Sequence, residues 1–355
     1  MSARTLSFAP RPDFTRLERV LRRQGEPDRV PFFELHSQLG DRVLGELGIE
    51  VAGGDPEDLG LRRHVACMHA LGYDYCNAGV RGFRFPMTEQ PKTMTAHGER
   101  SYLTAATHTI GGRKDFESYP WPDLSAVDPS PLEDVKRLLP EGMRVIAGSS
   151  GVLENVMWLL GYEGMAYLLA DDEPLVATMF EEVGSRIAAL VDLQASFDSV
   201  GAMVMGGDMG YSTQTLVSPA VLRTYVFPWH RKIVEASHRH GKPIILHSCG
   251  NLSAVMEDII ACGWDARHSF EDKIEPVWAA KERWGDRIAV LGGFDMDRIV
   301  RMSEPEVRAY TRTLIGRCAP GGGWALGTGN SVPVYVPVAN YLAMLEEGFD
   351  AGRYR

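Results

Sequence analysis

The sequence is poor in cysteine, in net positive charge and in long apolar runs, and each shortage excludes a class of protein. Its five cysteines are odd in number and scattered, which predicts reduced thiols rather than a disulfide framework. The 37 Lys and Arg residues against 47 Asp and Glu residues give a formal net charge of −10, which argues against broad nucleic-acid binding. No apolar run approaches the roughly 18 residues of a membrane span, and the first residues lack an apolar signal core. We therefore expect a cytoplasmic protein that binds neither membranes nor nucleic acids.

What is present is typical of a globular protein with a large core. Hydrophobic residues make up 45% of the chain and charged residues 24%. A length of 355 residues and a mass of 39.3 kDa fit one large α/β barrel or two average domains. Length and composition alone leave these two choices open.

Apolar runs of strand length alternate with segments of helical periodicity, one of which lies near residues 153–170. Strands separated by helices imply parallel βαβ units, and about eight of them imply a (βα)8 TIM barrel. An open doubly wound sheet is the competitor, but no Gly-x-Gly-x-x-Gly follows the first strand. We predict one α/β barrel domain over residues 1–355. Its strands are predicted at residues 30–34, 73–78, 144–148, 202–206, 244–247, 266–268, 288–291 and 324–326.

Residues 81–110 interrupt this pattern. They contain Thr-rich segments in which polar and apolar residues alternate, as in residues 92–95 and 102–107. Alternation with a period of two is typical of strands. We therefore predict a small β-hairpin inserted into the barrel.

Polar side chains follow the predicted strands at their carboxyl ends, where a TIM barrel builds its active site. The apolar run 244–246 ends at His247, and Cys249 shares its face if the extended conformation continues, because side chains alternate along a strand. Imidazole and thiolate are ligands that zinc prefers. For Asp295 a helix N-cap role is the alternative, and for Asn330 and Ser331 a turn. The other strand-end residues are Glu34, His36, Asn77, Ser149, Ser150, Asp208, His268, Glu271, Asp272 and Thr328.

Five motifs, in this order, resemble the uroporphyrinogen decarboxylase superfamily over residues 14 to 350. That superfamily has a (βα)8 barrel fold and two main branches. One branch decarboxylates uroporphyrinogen without a cofactor, and the other transfers methyl groups between small molecules, thiols and corrinoid proteins, usually with zinc. The motifs are Asp28-Arg29-Val30-Pro31, Gly206-Gly207-Asp208-Met209-Gly210, His247-Ser248-Cys249-Gly250, Leu291-Gly292-Gly293-Phe294-Asp295, and Ala319-Pro320-Gly321-Gly322-Gly323-Trp324 with Gly329-Asn330-Ser331.

The first strand end separates the two branches. The decarboxylase branch carries Arg-Gln-Ala-Gly-Arg there, and its arginines face the carboxylates of the substrate. This chain has Glu34-Leu35-His36-Ser37-Gln38 instead. An acidic strand end repels a polyanion, whereas recognition of carboxylates needs cations. The resemblance is therefore closer to the methyltransferase branch.

The methyltransferase branch implies a metal site. Its zinc-dependent members carry His-x-Cys, which His247 and Cys249 match, and a further Cys in the last strand, which Thr328 replaces here. A threonine hydroxyl is a poor zinc ligand, so another strand-end residue has to complete the set. The candidates are Glu34, His36, Asp208 and His268.

We therefore predict a methyltransferase that moves a methyl group from a small methoxy- or methylamine-type compound to a corrinoid protein or a thiol, assisted by zinc. Because the chain has no Asp-x-His-x-x-Gly cobalamin motif, the corrinoid is expected on a separate partner protein. A cofactor-free decarboxylase and a non-catalytic ligand-binding barrel stay open as alternatives, as does assembly into a homodimer. The assigned residues are Asp208, His247 and Asn330 for catalysis, Glu34, His36, Asp295 and Ser331 for substrate binding, and His247, Cys249 and His268 for the metal.

Overall fold

The computed structural model describes residues 3–53, 56–88, 92–95, 98–101 and 108–354. Seven parallel strands form one curved sheet in the order β1-β4-β5-β6-β7-β8-β9, with helices between successive strands. This arrangement confirms the predicted α/β fold of the TIM-barrel type. The strands are β1 Tyr75–Asn77, β2 Lys92–Thr95, β3 Gly98–Ser101, β4 Arg144–Ser150, β5 Val200–Gly206, β6 Ile244–His247, β7 Ala266–His268, β8 Ala289–Leu291 and β9 Trp324–Ala325.

The helices pack around the sheet and cover its apolar strands, which explains why the strands read as almost continuous hydrophobic runs. Short 3-10 turns occur at Leu124–Ala126, Val135–Arg137 and Ser253–Val255, and one π-helical turn at Leu222–Val226. None of the helices in the described part of the chain combines the length and apolar character needed to cross a bilayer. The α-helices are α1 Thr15–Leu21, α2 Gly40–Glu46, α3 Pro56–Ala70, α4 Arg113–Ser118, α5 Ser130–Asp134, α6 Val152–Leu160, α7 Tyr162–Asp171, α8 Glu173–Ala195, α9 Pro219–Val221, α10 Phe227–His238, α11 Met256–Ala261, α12 Val277–Trp284, α13 Met296–Arg301, α14 Glu304–Cys318 and α15 Val338–Ala351.

The helix-like segment predicted near residues 153–170 is helical but divided into two helices, α6 and α7. Gly161 separates α6 from α7 with φ of +73°, a left-handed conformation that only glycine adopts readily. The apolar periodicity continues on both sides of the break, so the pattern alone does not reveal it.

The predicted first strand, residues 30–34, is extended but forms only one bridge, between Phe32 and Leu326 beside β9. The next bond of a parallel ladder would run from the Thr328 N–H to the Phe33 carbonyl. That N–H instead donates to the Glu34 carboxyl oxygen Oε1 at 2.8 Å. The pairing ends there because the Glu34 side chain replaces a backbone acceptor.

The predicted hairpin is confirmed in part. β2 and β3 pair antiparallel and form a two-stranded sheet separate from the barrel. The predicted extended segment 102–107 lies outside the described residues.

Candidate metal centre and active site

His247 and His268 lie side by side on neighbouring strands. The register of β6 and β7 pairs these two residues, and both side chains are buried in the barrel. Their Nδ1 atoms are 2.7 Å apart, and His268 Nε2 is 3.0 Å from the Thr328 carbonyl oxygen. The Thr328 carbonyl, His268 and His247 therefore form a hydrogen-bonded chain from the loop after β9 to the end of β6.

The order of donors and acceptors in this hydrogen-bonded chain fixes the tautomers of both histidines. A carbonyl oxygen only accepts, so His268 Nε2 carries a hydrogen and donates it to Thr328. In a neutral ring the other nitrogen, His268 Nδ1, is then an acceptor, so His247 Nδ1 must carry the hydrogen of the contact between the rings. His247 Nε2 is left with a free lone pair.

The neutral state of both rings follows from their surroundings. Burial lowers the pKa of His247 to about 4 and the pKa of His268 to about 3. The second contribution to the low pKa of His268 is the neighbouring ring of His247. Neither imidazole holds a second proton at neutral pH, so the chain of donors and acceptors is intact there.

The lone pair of His247 lies next to Asp208 and Cys249. Cys249 Sγ is 3.6 Å from His247 Nε2, and Asp208 Oδ1 is 3.8 Å from the same nitrogen. The Cys249 backbone N–H donates to Asp208 Oδ1 at 2.8 Å, which ties the two loops together. One donor atom from each of the three residues lies within 4.8 Å of the others. We call Asp208, His247 and Cys249 the donor group.

Two glycines bring the loops of the donor group into contact. Gly250 has φ of +90°, and a Cβ at this position would lie 2.2 Å from the Gly210 carbonyl carbon. Any side chain at residue 250 would force the loop after β6 away from the loop after β5. The glycines of the two motifs are therefore needed for Asp208 to reach Cys249.

The donor group fits a zinc ion. Zinc takes imidazole nitrogen, thiolate sulfur and carboxylate oxygen, and three protein ligands with one open position are typical of catalytic sites. Tetrahedral zinc separates its ligand atoms by roughly 3.3 to 3.7 Å, given its usual bond lengths. The nitrogen-to-sulfur distance of 3.6 Å falls in that interval, and the nitrogen-to-oxygen distance of 3.8 Å is slightly longer. Both distances from His247 Nε2 are therefore close to those of a tetrahedral zinc site.

The sulfur of Cys249 also receives two side-chain donors. Asn330 Nδ2 lies 3.2 Å from it and Ser269 Oγ 3.7 Å. Burial, with a further contribution from the Asp208 carboxylate, raises the pKa of the Cys249 thiol to about 12. The thiol therefore keeps its proton at neutral pH unless a cation compensates the charge of the thiolate.

The structure does not bring His268, predicted from the sequence as a metal ligand, into the donor group. Both nitrogens of His268 are engaged, one by His247 and the other by the Thr328 carbonyl. Among the described residues, the structure groups Asp208, not His268, with His247 and Cys249. His268 orients the ring of His247, and a second hydrogen-bonding partner of this kind is usual for histidines at metal sites.

An acidic residue that the sequence analysis overlooked faces Asp208. Glu154 lies in the first turn of α6, and burial together with the Asp208 charge raises its pKa to about 7. Glu271 is similar, since burial and then Asp295 and Asp208 raise its pKa. An acidic residue in an otherwise apolar helix just after a strand end was the sequence signal that could have identified Glu154. These two acids place further carboxyl groups near the donor group, and their raised pKa values make them ready to bind either a proton or a cation.

Asp295 has a structural role. Its Oδ1 accepts from the backbone N–H groups of Asp297 at 3.0 Å and Arg298 at 3.1 Å, which makes it the N-cap of α13. Its Oδ2 accepts from the Asp272 N–H at 3.3 Å. Of the two readings of Asp295 that the sequence left open, the contacts of its carboxylate match the cap.

The other predicted substrate residues are divided between two places. Asn330 and Ser331 line a cavity of about 460 Å³ with Asp295, and Asn330 also contacts the Cys249 sulfur. The His36 side chain is exposed, and its backbone carbonyl accepts from Val332. The structure does not bring His36 into the donor group.

The fold and the site define a class of protein: a barrel with potential metal ligands at the carboxyl ends of its strands. Within that class the family is clear, because the model of the uroporphyrinogen decarboxylase (URO-D) family matches residues 126–348. The chain belongs to this family, which confirms the resemblance seen in its motifs.

Two solved structures were compared with the fold. A methyltransferase from Methanosarcina mazei superposes with a TM-score of 0.70 at 17% sequence identity, over 95% of this chain and 98% of that one. A Xanthomonas albilineans dihydropteroate synthase with 4-aminobenzoic acid gives a TM-score of 0.29 at 17% identity, over 43% of this chain and 56% of that one. No curated protein matches the chain in sequence. The first likeness establishes the barrel fold.

Proposed function

We propose that the protein is a zinc-assisted methyltransferase that takes a methyl group from a small methoxy- or methylamine-type compound and passes it to a corrinoid protein or a thiol. The donor group carries the proposal, because it offers a neutral imidazole, a thiol and a carboxylate around one position. Membership of the uroporphyrinogen decarboxylase family and the fold shared with a methyltransferase support it.

In this proposal each residue has a defined task. His247 offers the lone pair of Nε2, which His268 keeps free of hydrogen. Cys249 offers a sulfur that receives a hydrogen bond from Asn330. Asp208 offers a carboxylate already anchored on the Cys249 N–H. A zinc ion held by these groups would supply a Lewis acid and would favour the thiolate form of the cysteine.

Methyl transfer places one demand on such a site. The bond between the methyl carbon and the donor heteroatom breaks, the acceptor gains the methyl group, and the leaving heteroatom needs a proton or a cation. Groups that stabilise this developing charge contribute most when they are fixed before the reaction. The hydrogen bonds on Asp208 and His247 provide such fixed positions.

The charge around the donor group favours this reaction over decarboxylation of uroporphyrinogen. Glu154 and Glu271 are close enough to Asp208 for its charge to raise their pKa. Acids in these positions attract a metal cation or a methylammonium group and repel a substrate with many carboxylates.

Metal analysis tests the first part of the proposal. Protein loaded with zinc and then passed through a desalting column should retain it stoichiometrically, whereas His247→Ala, Cys249→Ser and Asp208→Ala should lose it. His230→Phe is the matched control, because His230 is another fully buried neutral imidazole that lies outside the donor group. Zinc retained by all three ligand variants would contradict the proposed site.

The activity is tested with free cobalamin as the acceptor. The zinc-loaded protein should form methylcobalamin from reduced cobalamin and at least one compound in a panel of methoxy-aromatics and methylated amines. The His247→Ala variant should form none. Release of CO2 from carboxylated compounds without any methyl transfer would instead support the decarboxylase alternative.

A further inference from the structure

Glu34 makes an unusual set of contacts for an acidic residue. Its side chain is 2% exposed, and its Oε1 accepts from the Thr328 backbone N–H at 2.8 Å. Its Oε2 is 2.5 Å from the Thr328 hydroxyl. The Tyr75 hydroxyl binds the Glu34 backbone on both sides, accepting from the N–H at 2.7 Å and donating to the carbonyl at 2.6 Å. Each carboxyl oxygen of Glu34 therefore has one partner on Thr328.

A count of hydrogens around the Thr328 hydroxyl determines the charge of Glu34. That hydroxyl has one hydrogen but contacts two oxygens, Glu34 Oε2 and the Asn330 carbonyl. A backbone carbonyl cannot donate, so the Thr328 hydrogen has to point at Asn330. The contact with Glu34 then needs a hydrogen of its own, and only a protonated carboxyl group can supply it.

The surroundings of Glu34 agree with a neutral acid. No cation among the described side chains forms an ion pair with it, and the titratable groups whose charge couples to its own are the phenols of Tyr73, Tyr75 and Tyr341. Burial raises the pKa of these phenols well above their usual value, so they are neutral as well. Burial also raises the pKa of Glu34, to about 8, against the smaller opposite contribution of the Thr328 hydrogen bonds.

Asn330 connects this arrangement to the donor group. The Ser331 backbone N–H donates to Asn330 Oδ1 at 2.7 Å, which fixes which end of the amide is the donor. The amide nitrogen therefore faces the Cys249 sulfur at 3.2 Å. The backbone carbonyl of the same residue is the acceptor of the Thr328 hydroxyl. Asn330 is therefore held at its backbone carbonyl by Thr328 and at its side chain by Ser331 and Cys249.

We propose that Glu34 is a protonated carboxylic acid in the folded protein and acts as a positioning residue: it donates to Thr328, whose hydroxyl in turn holds Asn330 against the Cys249 sulfur. This assignment replaces the role in substrate binding that the sequence suggested for Glu34. It goes beyond the proposed function and holds whether or not methyl transfer is the reaction.

Infrared spectroscopy of the full-length protein tests the protonation directly. The difference spectrum between wild type and Glu34→Gln at neutral pH should contain the C=O stretching band of a protonated carboxylic acid, which shifts in D2O. Thr328→Val removes the acceptor of the acid, so the band should move to higher frequency, while Thr328→Ser should leave it in place. A wild-type spectrum without the band, or a band that Thr328→Val leaves unmoved, would overturn the proposal.

Alkylation of Cys249 tests the positioning. The other four cysteines are buried, so Cys249 is the thiol open to iodoacetamide after treatment with a chelator. Asn330→Ala should slow alkylation at a fixed neutral pH about tenfold, because a hydrogen bond to a charged group is lost.

Glu34→Ala and Thr328→Val should slow the reaction as much as Asn330→Ala does. In Glu34→Gln, Cys249 should be alkylated at the wild-type rate, because the neutral amide can donate to Thr328 as the neutral acid does. A Glu34→Gln variant as slow as Asn330→Ala would overturn the proposal, and this comparison does not require Glu34→Ala to fold.

Discussion

The stability of the protein should depend on pH in a way that replacing Glu34 by Gln removes. In the unfolded chain Glu34 releases its proton near its ordinary pKa of 4.5, whereas in the folded protein burial raises the pKa to about 8. Between these values the folded state holds one proton more than the unfolded state. The free energy of unfolding therefore falls as the pH rises through this window, and the contribution of the neutral acid is complete only below pH 4.5.

The size of the effect follows from the pKa difference. One pKa unit corresponds to about 1.4 kcal/mol, so the whole window corresponds to about 5 kcal/mol as an upper estimate. The Gln variant does not titrate, so the difference between wild type and Glu34→Gln isolates this contribution. Other groups with raised pKa, such as Glu154, contribute equally to both proteins and cancel.

The measurement is urea unfolding of both proteins at several pH values, followed by tryptophan fluorescence. The difference in unfolding free energy should decline between pH 4.5 and about 8 and should level off above that. Glu257→Gln is the matched control, because Glu257 is exposed, pairs with Arg287 and has a lowered pKa. Its difference from wild type should not decline in this window. A flat curve for Glu34→Gln would mean that Glu34 is ionised in the folded protein and would refute the proton count.

Three further predictions concern His268, Gly327 and Asp295. His268→Phe removes the acceptor that fixes the tautomer of His247. Zinc affinity, measured by competition with a chelator, should therefore fall about 10- to 100-fold, whereas His230→Phe should not change it. Gly327→Ala should lower the free energy of unfolding in urea by more than about 3 kcal/mol, because its Cβ would lie 1.7 Å from the Phe33 carbonyl oxygen. The control is Gly316→Ala in α14, whose Cβ meets nothing within 4 Å and which should raise the free energy of unfolding by up to about 1 kcal/mol. Asp295→Ala should cost about 1 kcal/mol through loss of the N-cap and leave zinc content unchanged; a loss of zinc would instead place Asp295 in the metal site.

The barrel was predictable from the sequence because its signal is repeated. Each βα unit adds an apolar run and an amphipathic helix, so single errors, such as the missed break at Gly161, do not change the architecture. His247 and Cys249 were predicted to lie on one face on the condition that the strand continues to Cys249. In the structure β6 ends at His247, and Cys249 lies in the following loop with its sulfur 3.6 Å from His247 Nε2.

The completion of the site was not predictable, because it depends on contacts between distant segments. Asp208 enters the donor group through the close approach of Gly210 and Gly250, forty residues apart along the chain. His268 has the right chemistry for a metal ligand, and only the register of β6 and β7 turns it toward another ring. Residue type narrowed the set of candidate metal ligands, whereas strand register and the contacts between loops decided which of them lie together.

The position of Thr328 has a consequence for how the sequences of related proteins can change. Its carbonyl anchors the ring of His268, and its hydroxyl lies between Glu34 and Asn330. A cysteine at residue 328, as in the related zinc enzymes, would leave the buried acid at residue 34 without its hydroxyl partner. Changing residue 34 first would leave the threonine hydroxyl with one partner fewer. Positions 34 and 328 are therefore expected to change together, and a double variant should be more stable than the sum of the two single effects. The first extended segment and the loop that follows the last strand would then have to evolve as one unit.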